Sequence, residues 1–408
     1  MFWVAYLAPL KLLSPANLWY FWSARVHMGI LELTIILSLI IWVFLIFFRG
    51  NFWLADQMLE ADVIQLETWP SIAVVIPARN EGKYIRATLQ SLMAQKYPGE
   101  INITVVNDNS TDNTVEEITR IKDKRIIISN ASDLPEGWTG KIWALKQGIN
   151  LSIKNNPSVD FYLFTDADIE HSQETLKIMV TKAERENLQL VSLMVLLNCR
   201  NFWEILLIPA FVFFFQKLYP FQWINNPKRS TAGAAGGYIL VRRTALETAG
   251  GIDAVRGEII DDCAIGRMIK KKGIIWLGLT KNVKSLRSYT RLSEIWGMVI
   301  RTAFNQLNYS VSVLLVTTIG MIIIYLVPPF AVVWGLVFND DFSLWLGVLC
   351  WVIMAIAYLP TQRLYQRPFW EALLLPIAAF LYSLMVIDSA QRYWTKRHPS
   401  WKERKYPQ

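Results

Sequence analysis

Two aspartates, Asp166 and Asp168, stand one residue apart behind the apolar run that opens "FYLFTDADIEHS", Phe161 to Ser172. At the mouth of a buried strand such a pair offers hard oxygen ligands to Mg²⁺ or Mn²⁺, ions that bridge a diphosphate. A metal there would neutralise charge on a departing nucleoside diphosphate. The same "TDAD" also suits a turn and helix cap, which Asp favours in its own right. A second acidic pair, Asp261 and Asp262 in "GEIIDDCAIGRM", precedes a helical pattern, where either carboxylate could serve as an N-cap. Lys141, in "LPEGWTGKIWAL", begins another helical pattern. An ammonium beside open backbone amides makes a phosphate site, and a solvated surface lysine is the alternative. His27, His171 and His398 fit no zinc spacing, so any chemistry rests on carboxylates and a harder metal. Cys199, Cys263 and Cys350 are odd in number and far apart, which argues against a disulfide framework.

These side chains need elements that bring them together. "SIAVVIPARNEGKYIRATLQSLMAQKYP" reads as a strand over Ile72 to Ile76, a loop and an amphipathic helix. "INITVVNDNSTDNTVEEI" repeats the plan, with Ser110, Thr111 or Asp112 available to cap the helix. "RIIISN" and "DFYLFTDADIEHSQETLKIMV" open a third and a fourth unit. Strands alternating with helices predict an α/β domain with a parallel, doubly wound sheet, whose ligands gather at the carboxyl ends of the strands. Asn80, Glu81, Asp108, Asp166 and Asp168 all fall just past a predicted strand. A folded sheet would collect them in one crevice despite their separation along the chain.

The rest of the chain belongs to lipid. Of 408 residues 53% are hydrophobic, 18 are Trp and only 18% are charged, more apolar than a soluble domain needs. Met28 to Phe48, Val311 to Phe338 and Phe342 to Pro360 approach or exceed the roughly 20 residues that cross a bilayer. The first is read as a retained anchor, because the opening residues lack the basic n-region of a cleaved signal. The expected organisation is an N-terminal segment and anchor (1–48), one catalytic-sized domain (49–310), C-terminal membrane helices (311–390) and a basic tail (391–408). The net charge of +8 concentrates in that tail, which reports an anionic cytoplasmic leaflet rather than nucleic acid. The catalytic domain is therefore expected on the cytoplasmic face of the inner membrane. Three full C-terminal spans would leave the basic tail outside, while the loop bearing Arg363 and Arg367 is basic too. The short segment Ala372 to Ile387 is accordingly expected to be re-entrant or interfacial. An apolar insertion near 202–224, "FWEILLIPAFVFFFQKLYPFQW", is too short to span; it either lies in the interface and presents a lipid or is a buried core helix.

"VVIPARNE", "VVNDNSTDNT", "FTDAD" and "IIDDCAIGRMIKKKG", in that order over Ile72 to Gly273, resemble the motifs of the family-two glycosyltransferases, inverting enzymes with the GT-A (Rossmann-like) fold. Within that family the chain looks most like the membrane-bound hopene-associated glycosyltransferases, and more distantly like ceramide glucosyltransferases. The resemblance implies that Pro77, Ala78, Arg79 and Glu81 line the nucleotide and that Asp108 accepts from the uracil imide; an Asx turn is the structural reading of Asp108. It assigns Asp166 to the ribose side, Asp168 to the metal, and Lys141 to the diphosphate. By the same likeness Asp262 is the general base that deprotonates the acceptor hydroxyl, with Asp261 its neighbour. Gly236 and Gly237, in "STAGAAGGYILVRR", form the acceptor region, where glycine admits close approach of substrate or of a packed helix. The family's processive members carry QxxRW; here Arg301 matches, but Met298 and Thr302 replace the Gln and Trp. That departure argues for a single transfer from a nucleotide sugar, UDP-linked by the likeness, to a lipid such as a hopanoid. Polymer synthesis is the alternative, and a non-catalytic nucleotide-sugar or lipid binder is a third reading, opposed by the intact acidic pairs.

Overall fold

The computed structural model describes residues 15–62, 64–396, 400–401 and 404–405, with side chains over 29–62 and 64–396. His27, His398 and most of the basic tail beyond Lys396 thus fall outside the described side chains. The chain opens with α1 (Pro15–Phe48), then β1 (Ile72–Ala78), α2 (Ile85–Met93), β2 (Ile101–Asn107), α3 (Thr114–Thr119), β3 (Ile126–Asn130), α4 (Gly140–Asn155) and β4 (Phe161–Thr165). It continues through β5 (Ile169–His171), α5 (Thr175–Arg185), β6 (Leu190–Leu196), α6 (Phe202–Leu218), α7 (Phe221–Asn225), β7 (Tyr238–Arg242) and α8 (Arg243–Thr248). Then come α9 (Asp261–Lys270), β8 (Ile275–Ser285), α10 (Leu292–Ile300), α11 (Ala303–Gln306), α12 (Val311–Met321), α13 (Val327–Phe338), α14 (Asp341–Leu364) and α15 (Leu375–Trp394).

Eight strands form one sheet in the order β3-β2-β1-β4-β7-β6-β8-β5. β3, β2, β1 and β4 are parallel, as expected from the alternating pattern. The sheet as a whole is not: β7 runs antiparallel to both β4 and β6, and β5 antiparallel to β8. The reason lies in the connection. After β6 the chain leaves at the carboxyl edge, makes the α6–α7 excursion and re-enters at that same edge. With no helix carrying it back across the sheet, β7 must run the other way.

Every residue of β1 is buried, so its two faces feed two cores. Ile72, Val74 and Ile76 join Leu89 of α2 and Met179 of α5, while Ala73 and Val75 join Ile142 and Leu145 of α4. The second core continues through Phe213 of α6 to Tyr358 of α14, Tyr382 of α15 and Trp42 of α1. Sheet domain and apolar helices therefore share one interior. In α6, Leu207, Ile208, Ala210, Val212 and Phe213 are fully buried, positions that lie all round the helix, which favours the core-helix reading.

Among the described residues, four helical segments are long and apolar enough to cross a bilayer: Gly29–Phe48, Val311–Phe338, Asp341–Leu364 and Phe369–Trp394. The segment expected over Ala372 to Ile387 is thus part of a longer helix. It nevertheless touches the sheet domain along its length. Arg367 and Glu371, just before it, lie close enough to act electrostatically on Cys199. Tyr382 donates to the Leu207 carbonyl at 2.9 Å, and Ser389 to the Ile300 carbonyl at 2.6 Å. Between α12 and α13 a π-helical turn, Ile322–Leu326, breaks the regular ladder.

Candidate active site

The parallel strands end in register, Ala78 opposite Asn107, so the residues after β1, β2 and β4 emerge side by side. The reversal of β7 adds the glycine loop to this edge, since Tyr238 pairs with Thr165. A cavity of about 720 Å³ results, lined by Pro77, Glu81, Lys141, Asp166, Asp168, Gly236, Gly237, Asp261, Asp262 and Arg301. Ala78 and Arg79, at the end of β1, and Asp108, after the neighbouring β2, lie outside that lining. Arg79 donates to the Asp108 carbonyl at 2.7 Å, Asp108 donates its N–H to the Ala78 carbonyl at 2.8 Å, and both Ala78 and Asp108 are buried.

Asp166 and Asp168 do not cap a helix, because the chain proceeds at once into β5. Lys141, in the first turn of α4, is no solvated lysine: its Nζ lies 2.9 Å from Asp166 Oδ1 and 3.3 Å from Asp261 Oδ2. Burial alone would lower its pKa, but Asp166, Asp261 and Asp262 outweigh that and hold the ammonium above its ordinary value. Asp261 and Asp262 form the first turn of α9. Asp262 Oδ2 accepts from the Gly236 N–H at 2.9 Å and Oδ1 from the Cys263 N–H at 2.7 Å, which fixes its carboxylate toward the cavity. Burial and then the charge of Asp261 raise its pKa to about 6, against the opposing pull of Lys141. A carboxylate poised there is well matched to general-base work near neutrality.

Arg287 escaped the sequence reading. Its Nε donates to Asp168 Oδ2 at 2.6 Å, and its Nη2 to both oxygens of Glu81 at 2.9 and 2.8 Å. Burial would lower its pKa, but Asp168 and Glu81 raise it. The rule that found the other residues finds this one as well, once Ile275–Ser285 is taken as a strand, since Arg287 lies just past its end. Glu204 was missed too. Fully buried at the start of α6, it accepts from Ser288 Oγ at 2.9 Å and the Tyr289 N–H at 2.6 Å, pinning the loop that carries Arg287. Its pKa is lowered because these and the Arg200 and Asn201 amides outweigh the burial that opposes them.

Among the described residues no three of His, Cys, Asp or Glu converge as a metal cage. The donor set still fits a hard divalent cation of the kind that takes one or two carboxylates and completes its shell with phosphate and water. Asp166 and Asp168 both face the cavity with oxygen donors beside the space a diphosphate would need.

Residues 73–250 match the family model described as Glycosyl transferase family 2. This chain carries a family 2 glycosyltransferase domain. That domain is a mixed α/β, Rossmann-like sheet flanked by apolar helices. A 4,4'-diaponeurosporenoate glycosyltransferase of Staphylococcus haemolyticus is 33% identical over 108 residues, 26% of this chain and 27% of that protein. A poly-beta-1,6-N-acetyl-D-glucosamine synthase of Staphylococcus aureus is 33% identical over 117 residues, 29% of this chain and 26% of that one. The chain thus spans about a quarter of the length of these curated relatives. Among solved structures, a mannosyltransferase from Pyrobaculum calidifontis in complex with GDP-Man and Mn²⁺ is 17% identical, with a TM-score of 0.45 over 87% of this chain and 99% of that one.

Proposed function

We propose that this chain is an integral-membrane, inverting glycosyltransferase that moves a single sugar from a nucleotide sugar, UDP-linked, to a hydroxyl of a lipid, on the cytoplasmic face of the inner membrane. The observation that carries the reading is the continuity of one cavity. Its wall passes from the carboxylates at the strand mouths to Phe211 and Phe214 of α6, Met321 at the end of α12 and Tyr382 of α15. A polar donor and an apolar acceptor would meet there.

In this reading Pro77, Ala78, Arg79, Glu81 and Asp108 hold the nucleotide, Asp166 the ribose side, and Lys141 and Arg301 the diphosphate. Asp262 takes the proton of the acceptor hydroxyl as its oxygen bonds to the anomeric carbon. The bond from that carbon to the diphosphate breaks, and the nucleoside diphosphate leaves with the electron pair. A single displacement inverts the centre, so an α-linked donor yields a β-linked product. When bound, Mg²⁺ or Mn²⁺ would supply charge neutralisation at the diphosphate, and Asp168 would hold it. Gly236 leaves the acceptor room: a Cβ there would lie 3.3 Å from Asp262 Oδ2.

The relatives' names point to two acceptor classes, an organic carboxylate and a growing polysaccharide. The apolar cavity wall and the missing Gln and Trp of QxxRW favour the lipid; a hopanoid is the acceptor that the sequence resemblance suggests. The test is purified full-length protein in neutral detergent with labelled nucleotide sugars and a membrane lipid extract, with and without EDTA, beside Asp262→Asn and Asp168→Asn. One discrete labelled glycolipid is expected, lost with EDTA and in both variants. Long polymer would favour the second reading, and no donor turnover at all would remove the enzyme reading.

A further inference from the structure

Lys217, in the last turn of α6, lines the cavity away from any acidic group. Among the described residues it makes no ion pair with a carboxylate. Its Nζ donates to Tyr325 Oη at 2.9 Å, lies 4.0 Å from Met321 Sδ, and stands 5.2 and 4.7 Å from the ring centroids of Phe214 and Tyr325. Tyr325 belongs to the π-helical turn between α12 and α13, and that irregular turn delivers the hydroxyl to the lysine. The charge that acts on it is another cation, Arg49, which donates to the Lys217 and Leu218 backbone carbonyls at 3.1 and 3.2 Å. Burial first, and then Arg49, push the Lys217 amine down to about 7.

An ammonium withdrawn from water is costly unless an anion accompanies it. A hydroxyl and two aromatic faces ease that cost only in part. A site that surrounds an amine with rings, gives it no carboxylate and leaves it facing a substrate-sized cavity is complete only when the occupant brings the negative charge. We infer that the acceptor is an acidic amphiphile: its reacting hydroxyl lies at Asp262, its apolar body along Phe211, Phe214 and Phe215, and a carboxylate or phosphate of its own against Lys217. This rests on the lipid-acceptor reading above and narrows it, since a neutral hopanoid alcohol would leave Lys217 without a counter-ion.

The experiment uses full-length protein in neutral detergent, a labelled nucleotide sugar, and membrane lipids separated on an anion exchanger into neutral and acidic pools, offered singly and mixed. Wild type should label an acidic product. Lys217→Met should reduce that transfer by at least about ten-fold, the scale of one lost charge-assisted hydrogen bond, through a raised KM for the acceptor. Lys217→Arg should keep most of it, and donor hydrolysis without acceptor should be the same in all three. Label on a neutral lipid, from either pool or the mixture, overturns the inference while the lipid reading stands. Equal impairment of Lys217→Met and Lys217→Arg, or none in either, assigns Lys217 to packing and also overturns it. Donor turnover with no labelled lipid of any kind removes the lipid reading itself.

Discussion

At the residue scale, five carboxylates of the site are held by Lys141, Arg287 and backbone amides. Lys141 serves Asp166 and Asp261, Arg287 serves Glu81 and Asp168, and Asp262 is held by backbone amides instead. Asp262 is therefore the acid whose proton is most available for exchange near neutrality. Its folded pKa of about 6 lies above the ordinary 3.8, so kcat/KM should fall about ten-fold per pH unit below 6 and level off above it. Asp262→Asn should lower transfer by roughly 10²–10⁴-fold. The same shift sets a stability prediction of opposite sense. A raised acid stabilises the fold below about pH 4 and loses that contribution as pH rises through 6; Asp262→Asn removes this pH dependence, so its melting temperature relative to wild type should be higher at pH 8 than at pH 4, on top of a constant loss where the amide meets the Gly236 and Cys263 N–H groups. Melting curves at the two pH values check it. Arg287→Ala removes the guanidinium from Asp168 and Glu81 and should cost about 2–3 kcal/mol, less than a fully buried pair because the arginine is 30% exposed. Arg287→Lys should rescue little, since one ammonium cannot reproduce the forked contact.

At the element scale, two junctions place the chemistry. Glu204 joins the start of α6 to the loop after β8, so Glu204→Gln would set an amide NH₂ or lose an acceptor against several N–H and O–H donors. A loss of about 1–3 kcal/mol is expected, with weaker donor binding by titration because Arg287 is no longer held. The second junction is glycine against glycine. A Cβ on Gly266 of α9 would fall 2.6 Å from the Gly233 carbonyl carbon, and backbone cannot yield there. Gly266→Ala should push α9 off the acceptor loop, separating Asp262 from Gly236, and both melting temperature and transfer should drop together.

At the scale of the whole molecule, the question is which apolar helices cross. Val311–Phe338 and Asp341–Leu364 are joined by the short turn at Asn339 and Asp340, and the second ends in the basic loop with Arg363 and Arg367. α15 meets the sheet domain through Tyr382, Asp388 and Ser389: Trp296 donates to Asp388 Oδ2 at 2.7 Å, and the Phe304 N–H to Ser389 Oγ at 3.1 Å. These tethers predict that α15 lies along the domain rather than crossing, with the loop at 363–367 and Thr395 on one side, as the positive-inside rule asks. Single cysteines at Gln366 and Thr395 should both react with a membrane-impermeant maleimide from the side on which Lys124→Cys reacts. Labelling of Thr395→Cys from the opposite side would mean that α15 crosses.

The amino-acid sequence by itself determined the strand mouths and what they carry, because a short apolar run followed by a polar turn is a local signal and the parallel pairing of β1, β2 and β4 needs no more. It determined the acidic pairs and the helix start at Lys141 for the same reason. The direction of β7, the partnership of Arg287 with Glu81 across 206 positions, and the placing of Lys217 against Tyr325 were decided only by the tertiary structure. Each depends on where a long excursion returns and on which charges burial leaves together. Those are sums over contacts distant in the chain, and no local pattern of residue types encodes them.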